Sequence, residues 1–236
     1  MKFILHELTL IIPTKDDHLR IEKNILDILS YLEFKIEQYE VLIVSNGSSK
    51  NSIEFLDSLS SNSEFIKHIS ILKKGKGAAI KKGIVKSKYR NILFIDADCS
   101  VKIDEFDKFV TQGNLKTPFV IGNRKNNLSK NINSPLIRKL TGFIYLKLVQ
   151  ILFGLKIEDT QCGFKAIDKL KFSTCNSFTT EGFAFDIELI LLALKSGLKI
   201  EEIPVDYFHD SNTKVNVFQQ TIRMVFDLYK IKKEKT

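Results

Sequence analysis

Apolar and polar positions alternate in blocks along the first half of the chain, and block length separates strands from helices. Leu8-Thr9-Leu10-Ile11-Ile12-Pro13 is a short β-branched run stopped by proline, which predicts a buried strand. Ile21, Ile25, Ile28 and Leu32 then recur at helical spacing between Leu19 and Phe34. Tyr39 to Val44 predicts a second strand, closed by the turn residues Ser45-Asn46-Gly47-Ser48. A helix around Ile53 to Leu59, a strand from His68 to Leu72, a helix opened by Gly75-Lys76-Gly77 and a strand from Asn91 to Ile95 follow. Strands that are apolar throughout and separated by helices predict an α/β fold, with a mostly parallel central sheet flanked by helices on both faces. Ligands sit at the carboxyl ends of strands in such sheets. The polar clusters at 13–17, 45–49 and 96–100 therefore predict one shared site.

The second half is less regular. Thr117 to Ile121 predicts a strand leading into Gly122-Asn123-Arg124-Lys125, and a long apolar helix spans about Ser134 to Gly154. Asp159 to Phe164 is a compact polar turn. Phe185 to Lys195 predicts a helix, Lys199 to Tyr207 a strand, and Val215 to Ile231 a final helix with a basic end. No repeat or linker divides the chain, so residues 1–236 are expected to form a single domain.

Composition narrows the classes of function. A chain of 236 residues with 44% apolar positions and 18 Phe is too apolar for disorder and large enough for a sizeable core. Cys99, Cys162 and Cys175 are too few, and odd in number, for a disulfide scaffold. They suit a reducing compartment, and the early charges at Lys2 and Glu7 do not fit a signal peptide. A cytoplasmic protein is expected. No window of 18 apolar residues predicts a membrane span. A net charge of +8 points to an anionic partner without choosing among phosphate, nucleotide, nucleic acid and acidic membrane.

Asp96-Ala97-Asp98 after a buried strand is the sharpest local feature. Carboxylates two residues apart on extended backbone project to one side and repel unless a cation or proton lies between them. A hard divalent ion clamped to a diphosphate satisfies them; a helix cap at Asp98 or Ser100 is the structural alternative. Gly75-Lys76-Gly77 suits an anion at a helix N-terminus, or a purely structural turn. Asp186 and Glu188, set among apolar residues, either cap a helix, face a polar cavity or pair with a base. His and Cys show no metal-ligand spacing.

Taken together, these residues resemble family-2 glycosyltransferases of the GT-A fold, and among them the polyprenyl-phosphate, dolichyl-phosphate glucosyltransferase-like branch. Ile11-Ile12-Pro13-Thr14, Val44-Ser45-Asn46-Gly47-Ser48, Gly75-Lys76-Gly77-Ala78-Ala79 and Asp96-Ala97-Asp98 match successive elements of that family in order. Gly122-Asn123-Arg124 and Phe185-Asp186-Ile187-Glu188-Leu189 are similar to two more, and Asp159-Thr160-Gln161-Cys162-Gly163-Phe164-Lys165 reproduces the family's DTQCGFK element in full. The resemblance implies an enzyme that inverts the anomeric centre while moving a hexose from a nucleotide-sugar to a polyprenyl or dolichyl phosphate. It implies that Pro13, Thr14 and Asn46 line the nucleoside pocket, that Lys76 and Gly77 approach the nucleotide, and that Asp96 and Asp98 hold Mg²⁺ or Mn²⁺. Arg124 and Arg138 would face phosphate. Asp159, the candidate catalytic residue, and Gln161 would sit at the transfer point.

Where the family carries two acids, this chain has Ser45 and Asn46, so the resemblance does not extend to the nucleotide base. A soluble saccharide acceptor, with Asp159 as general base, and a degenerate binding subunit are the alternatives. Phe94 to Ser100 also fits the nucleophile loop of haloacid-dehalogenase-type phosphatases, but that loop belongs on a first strand and here three strand–helix units precede it. The apolar 134–154 helix and the basic final helix are candidates for peripheral contact with the cytoplasmic membrane face.

Overall fold

In the computed structural model the backbone is described for residues 3–126, 128–132, 136–208 and 217–235. Side chains are described within these segments except at 131–132, 136–139, 217–220 and 234–235. The strands are β1 (Leu5–Thr14), β2 (Ile36–Asn46), β3 (Ile66–Ile71), β4 (Asn91–Phe94), β5 (Val110–Thr111), β6 (Asn114–Leu115), β7 (Phe119–Asn123), β8 (Asn131–Ile132), β9 (Lys165–Asp168), β10 (Ile200–Pro204) and β11 (Tyr207–Phe208). The helices are α1 (His18–Lys35), α2 (Lys50–Ser61), α3 (Lys76–Lys86), α4 (Leu136–Phe153), α5 (Phe185–Lys195) and α6 (Val217–Lys235).

Seven strands form one sheet in the order β10-β7-β9-β4-β1-β2-β3. Only β9 runs against the rest, pairing antiparallel with both β4 and β7. Leu10, Ile11 and Ile12 of β1 and Val41 to Val44 of β2 are buried whichever face they point to, which explains their unbroken apolar runs. Ile21, Ile25, Ile28 and Leu32 form the buried face of α1, as their spacing predicts. Each such side chain contributes on the order of 1.5–3 kcal/mol by leaving water.

Two segments differ from the sequence expectation. The helix that a cap at Asp98 or Ser100 would open, near Ile103, is a 3₁₀ helix, Ile103–Phe109. It buries Phe106 and Phe109 three residues apart and runs into the β5–β6 hairpin, whose turn places Gln112 and Gly113 at positive φ. The strand expected from Lys199 to Tyr207 is two strands, because Pro204 offers no N–H to extend the ladder. Beyond it, Tyr207 pairs with Asn131 in a separate two-stranded sheet. The starts expected at Ser134 and Val215 lie outside the described residues. Cys99, Cys162 and Cys175 are free thiols. No helix among the described residues is long and apolar enough to cross a membrane.

Candidate active site

Parallel pairing brings the carboxyl ends of β1, β2, β4 and β7 to one edge of the sheet. The reversed strand β9 begins at that same edge, so the loop preceding it, residues 159–164, joins the cluster. Register places Thr14 opposite Ser45, and Lys165 between Phe94 and Ile121.

At the β1–β2 end, Asn46 is buried and both ends of its amide are used. Nδ2 donates to the Thr14 carbonyl at 2.8 Å, and Oδ1 accepts from the Gly75 N–H at 3.0 Å. Asn46 thereby ties two strand ends to the loop that opens α3, a connection that an acid, having no donor, cannot make at Thr14. Ser45 contacts Nε2 of His68 at 2.8 Å, and His68 Nδ1 lies 2.7 Å from Asp57. Sequence spacing offers no hint of this Ser–His–Asp line, and Ser45 is too buried to act as a nucleophile.

Gly75 and Gly77 are required by a close approach. A Cβ at Gly75, whose φ is +133°, would lie 2.2 Å from the Glu181 carbonyl, and one at Gly77 would lie 2.4 Å from that of Thr180. The amides of Gly77 and Ala78 donate to the carbonyls of Gly182 and Glu181. Those amides are thus already partnered, and the side chain of Lys76 carries the charge presented here. Its Nζ lies 2.5 Å from Asp96 Oδ1. Burial works to lower the proton affinity of Lys76, but Asp96, Asp186 and Asp98 outweigh it and raise it.

The two carboxylates of the Asp96–Asp98 pair behave differently. Burial opposes ionisation of Asp96, yet Lys76, with Arg124 and Lys165 behind it, holds its carboxyl below the usual range. Asp98 is pushed up by burial and by the negative charge of Asp96. It also accepts the Ser100 N–H at 3.0 Å in a local turn, but neither Asp98 nor Ser100 caps the helix that follows, whose N-cap is Lys102.

Arg124 clamps Asp159 through Nε at 2.8 Å, Nη2 at 2.9 Å and its own backbone N–H at 3.0 Å. Burial works against ionisation of Asp159, but Arg124 and Lys125 prevail and lower its pKa to about 2. Glu202 accepts the backbone N–H groups of Glu158 and Asp159, and the Tyr207 ring lies under the guanidinium of Arg124 at 5.2 Å. Lys165, buried on β9, pairs with Asp186 at 2.7 Å. Asp186 therefore answers a buried base instead of capping α5. Glu188 accepts the N–H groups of Thr179 and Thr180 and braces that loop.

Lys165, Gly163, Glu202 and Tyr207 are partners that sequence reasoning missed. Lys165 and Gly163 stand within the DTQCGFK element and were there to be weighed; Glu202 and Tyr207 lie in a segment with no local signal. A small cleft lined by Asp96, Ser100, Arg124, Gly163 and Tyr207 marks where the groups converge. Pro13 ends β1 beside Thr14. Thr14 Oγ1, Ser100 Oγ and Gln161 Nε2 are buried without a hydrogen-bond partner among the described residues. Arg138 falls within α4, but its side chain lies outside those described.

No group of three His, Cys, Asp or Glu among the described residues is arranged to hold a metal. Asp96 and Asp98 nonetheless fit a hard divalent ion that takes its remaining ligands from diphosphate and water, since they are oxygen donors and their mutual repulsion is only partly relieved by Lys76.

Residues 9–172 match the glycosyl transferase family 2 profile. The chain is 30% identical to the dolichyl-phosphate beta-glucosyltransferase of Saccharomyces cerevisiae, over 94% of this chain and 72% of that protein. It is 29% identical to the human protein of the same name, over 94% and 74%. Among solved structures, mannosyl-3-phosphoglycerate synthase from Rubrobacter xylanophilus superposes with a TM-score of 0.71 at 13% identity, covering 98% of this chain and 75% of that one. Glucosyl-3-phosphoglycerate synthase from Mycobacterium tuberculosis, solved with Mn²⁺, UDP-glucose and phosphoglyceric acid, gives 0.67 at 13% identity, over 96% and 80%. The architecture is the GT-A fold, and the chain belongs to glycosyltransferase family 2, in its dolichyl-phosphate glucosyltransferase-like branch.

Proposed function

We propose that this glycosyltransferase moves a hexose, with inversion, from a nucleoside diphosphate-sugar held with Mg²⁺ or Mn²⁺ to a polyprenyl or dolichyl phosphate. The observation that carries this reading is the Arg124–Asp159 clamp. A carboxylate with a pKa near 2 that accepts three hydrogen bonds is a poor proton acceptor, whereas a hydroxyl nucleophile needs a base. A phosphate acceptor is already ionised near neutral pH and needs none. Asp159 then serves to hold the Arg124 guanidinium in place.

A phosphate oxygen of the acceptor attacks the anomeric carbon opposite the diphosphate, and the carbon–oxygen bond to the diphosphate breaks with its electron pair. Lys76 stands beside Asp96, where it meets the charge of the leaving diphosphate. A divalent ion bound by Asp96 and Asp98 would add charge neutralisation at the same place. The dolichyl-phosphate name of the yeast and human relatives supports the acceptor class, and the Mn²⁺ and UDP-glucose complex of a protein with this fold supports the donor class.

Transfer from a panel of nucleotide-sugars to a short polyprenyl phosphate, with and without Mn²⁺, tests the reading. Metal-dependent product of inverted anomeric configuration is expected, and none from Asp98→Ala. Full activity of that variant, or retention of configuration, would overturn it. No thermal stabilisation by any nucleotide with Mn²⁺ would instead favour the degenerate subunit.

The same reading places the protein on a membrane surface. Leu140, Phe143, Ile144 and Ile151 of α4 and Ile222, Phe226 and Tyr229 of α6 are exposed, and α4 contains no acid. Arg223, Lys230 and Lys233 accompany them on α6. An apolar face with cations suits an anionic bilayer. Flotation with anionic vesicles at low salt is expected; protein that stays at the bottom of the gradient removes this part.

A further inference from the structure

A second cleft, about 340 Å³ in volume, lies between the segment following β7 and the helix α4, lined by Lys125, Asn126, Leu146, Gln150 and Glu158. We propose that it binds the phosphate monoester of the acceptor, with Lys125 as the cationic contact and the amides of Asn126 and Gln150 as donors. The inference rests on the transferase reading and deepens it by placing the acceptor.

The polarity of the lining carries the proposal. An amide side chain offers a donor end and an acceptor end, and here the protein occupies both acceptor ends. Asn126 Oδ1 accepts the Leu128 N–H at 3.0 Å, and Gln150 Oε1 accepts from Lys147 Nζ at 3.3 Å. Among the described residues neither NH₂ group meets an acceptor, so both remain as donors, a selection for anions. Lys125 Nζ reaches the Glu158 carbonyl at 3.3 Å but has no carboxylate within ion-pair distance among the described residues. Burial, joined by the neighbouring Arg124, lowers its proton affinity and outweighs the pull of Asp159, Glu202 and Glu158, so a further anion beside it would favour its charged form. The one acid of the lining, Glu158, has its carboxylate engaged by Asn123 Nδ2 at 2.9 Å.

Position fits the same role. Lys125 follows Arg124 and Glu158 precedes Asp159, so the wall that faces α4 is one residue from the buried clamp. Leu146 supplies an apolar wall, and Phe143, Ile144 and Ile151 stand exposed on the same helix. A phosphate head on an apolar chain can therefore sit at Lys125 while its chain leaves along α4. A soluble phosphomonoester shares the head chemistry but has no use for that apolar exit.

Calorimetric titration with geranyl phosphate and with glycerol phosphate, on the wild type and on Lys125→Met, Lys125→Arg and Gln150→Glu, tests this. Geranyl phosphate is expected to bind more tightly than glycerol phosphate, to weaken roughly tenfold or more in Lys125→Met and in Gln150→Glu, and to recover in Lys125→Arg. UDP affinity with Mn²⁺, read in parallel, is expected to stay within about twofold of wild type, because the nucleotide approaches from the Lys76 side. Unchanged geranyl phosphate affinity in both Lys125→Met and Gln150→Glu overturns the site. Tighter binding of glycerol phosphate overturns the lipid assignment and keeps the cleft. Wild type that binds geranyl phosphate but no nucleotide fails the transferase reading separately.

Discussion

Gly163 lies directly against the carboxylate of Asp96: a Cβ on the glycine would stand 2.0 Å from Oδ2 and 2.5 Å from Cγ. The glycine of the DTQCGFK element is thus the floor on which the first acid of the Asp96–Asp98 pair rests. Its φ is not in the left-handed region, so space, not backbone freedom, demands glycine here. Gly163→Ala is expected to fold, with a melting temperature lowered by a few degrees, while pushing Asp96 away from Lys76. Nucleotide affinity in the presence of Mn²⁺ should fall roughly tenfold, about 1.4 kcal/mol. Wild-type affinity in a folded Gly163→Ala would show that Asp96 relaxes freely.

The Arg124–Asp159 clamp predicts an acid-labile component of stability. The folded pKa of Asp159, about 2, lies below its ordinary value of 3.8. The clamp's contribution is therefore present above pH 4 and lost as pH falls toward 2, a change of about 2 kcal/mol. Urea midpoints measured from pH 6 down to pH 2 should fall less steeply for Asp159→Asn than for wild type. The variant should also be less stable at neutral pH, because Arg124 is left buried without its counter-charge.

Lys165 and Asp186 form a buried ion pair, so losing one partner is worse than losing both. Lys165→Met alone should cost about 3–5 kcal/mol. The double variant Lys165→Met with Asp186→Leu should recover much of that in chemical denaturation. Activity is not expected to return with stability, since Asp186 also helps set the charge of Lys76. Additive costs in the double variant would mean the pair does not interact.

Asn46 predicts a test of the strand-end junction. Asn46→Ala removes the bonds to the Thr14 carbonyl and the Gly75 N–H and should cost about 1–3 kcal/mol. Asn46→Asp keeps the acceptor for Gly75 but sets a carboxylate oxygen against the Thr14 carbonyl, so it should be no more stable than Asn46→Ala. Thermal melts of the two variants at pH 7 decide the order.

The first half of the fold is legible in the sequence because the central residues of β1, β2 and β4 are buried on both faces and α1 and α3 bury one face each. Val41 to Val44 and the Ile21–Ile25–Ile28–Leu32 spacing announce their elements locally. The site is legible as a set of strand ends for the same reason: turn residues follow apolar runs at Ser45, Asp96 and Arg124. Less could be read of what those residues do. Asp159 reads as a candidate base, and its clamp by Arg124, 35 residues away, which lowers its proton affinity, shows only in the fold. Asp186 reads equally as a cap, a cavity acid or the partner of a base, and β9 decides for the last by bringing Lys165 to it.

By itself, the sequence determined the family, the succession of strands and helices, and which polar residues stand at the carboxyl edge of the sheet. Those depend on local periodicity and on motifs contiguous in the chain. Tertiary structure alone decided which charges neutralise each other, why a side chain at Gly163 would displace Asp96, and that Lys125 and Gln150 face one cleft. Each of these is a matter of a few ångströms between segments distant in sequence. The reversed strand β9 and the packing of α4 set those distances, and no spacing along the chain encodes them.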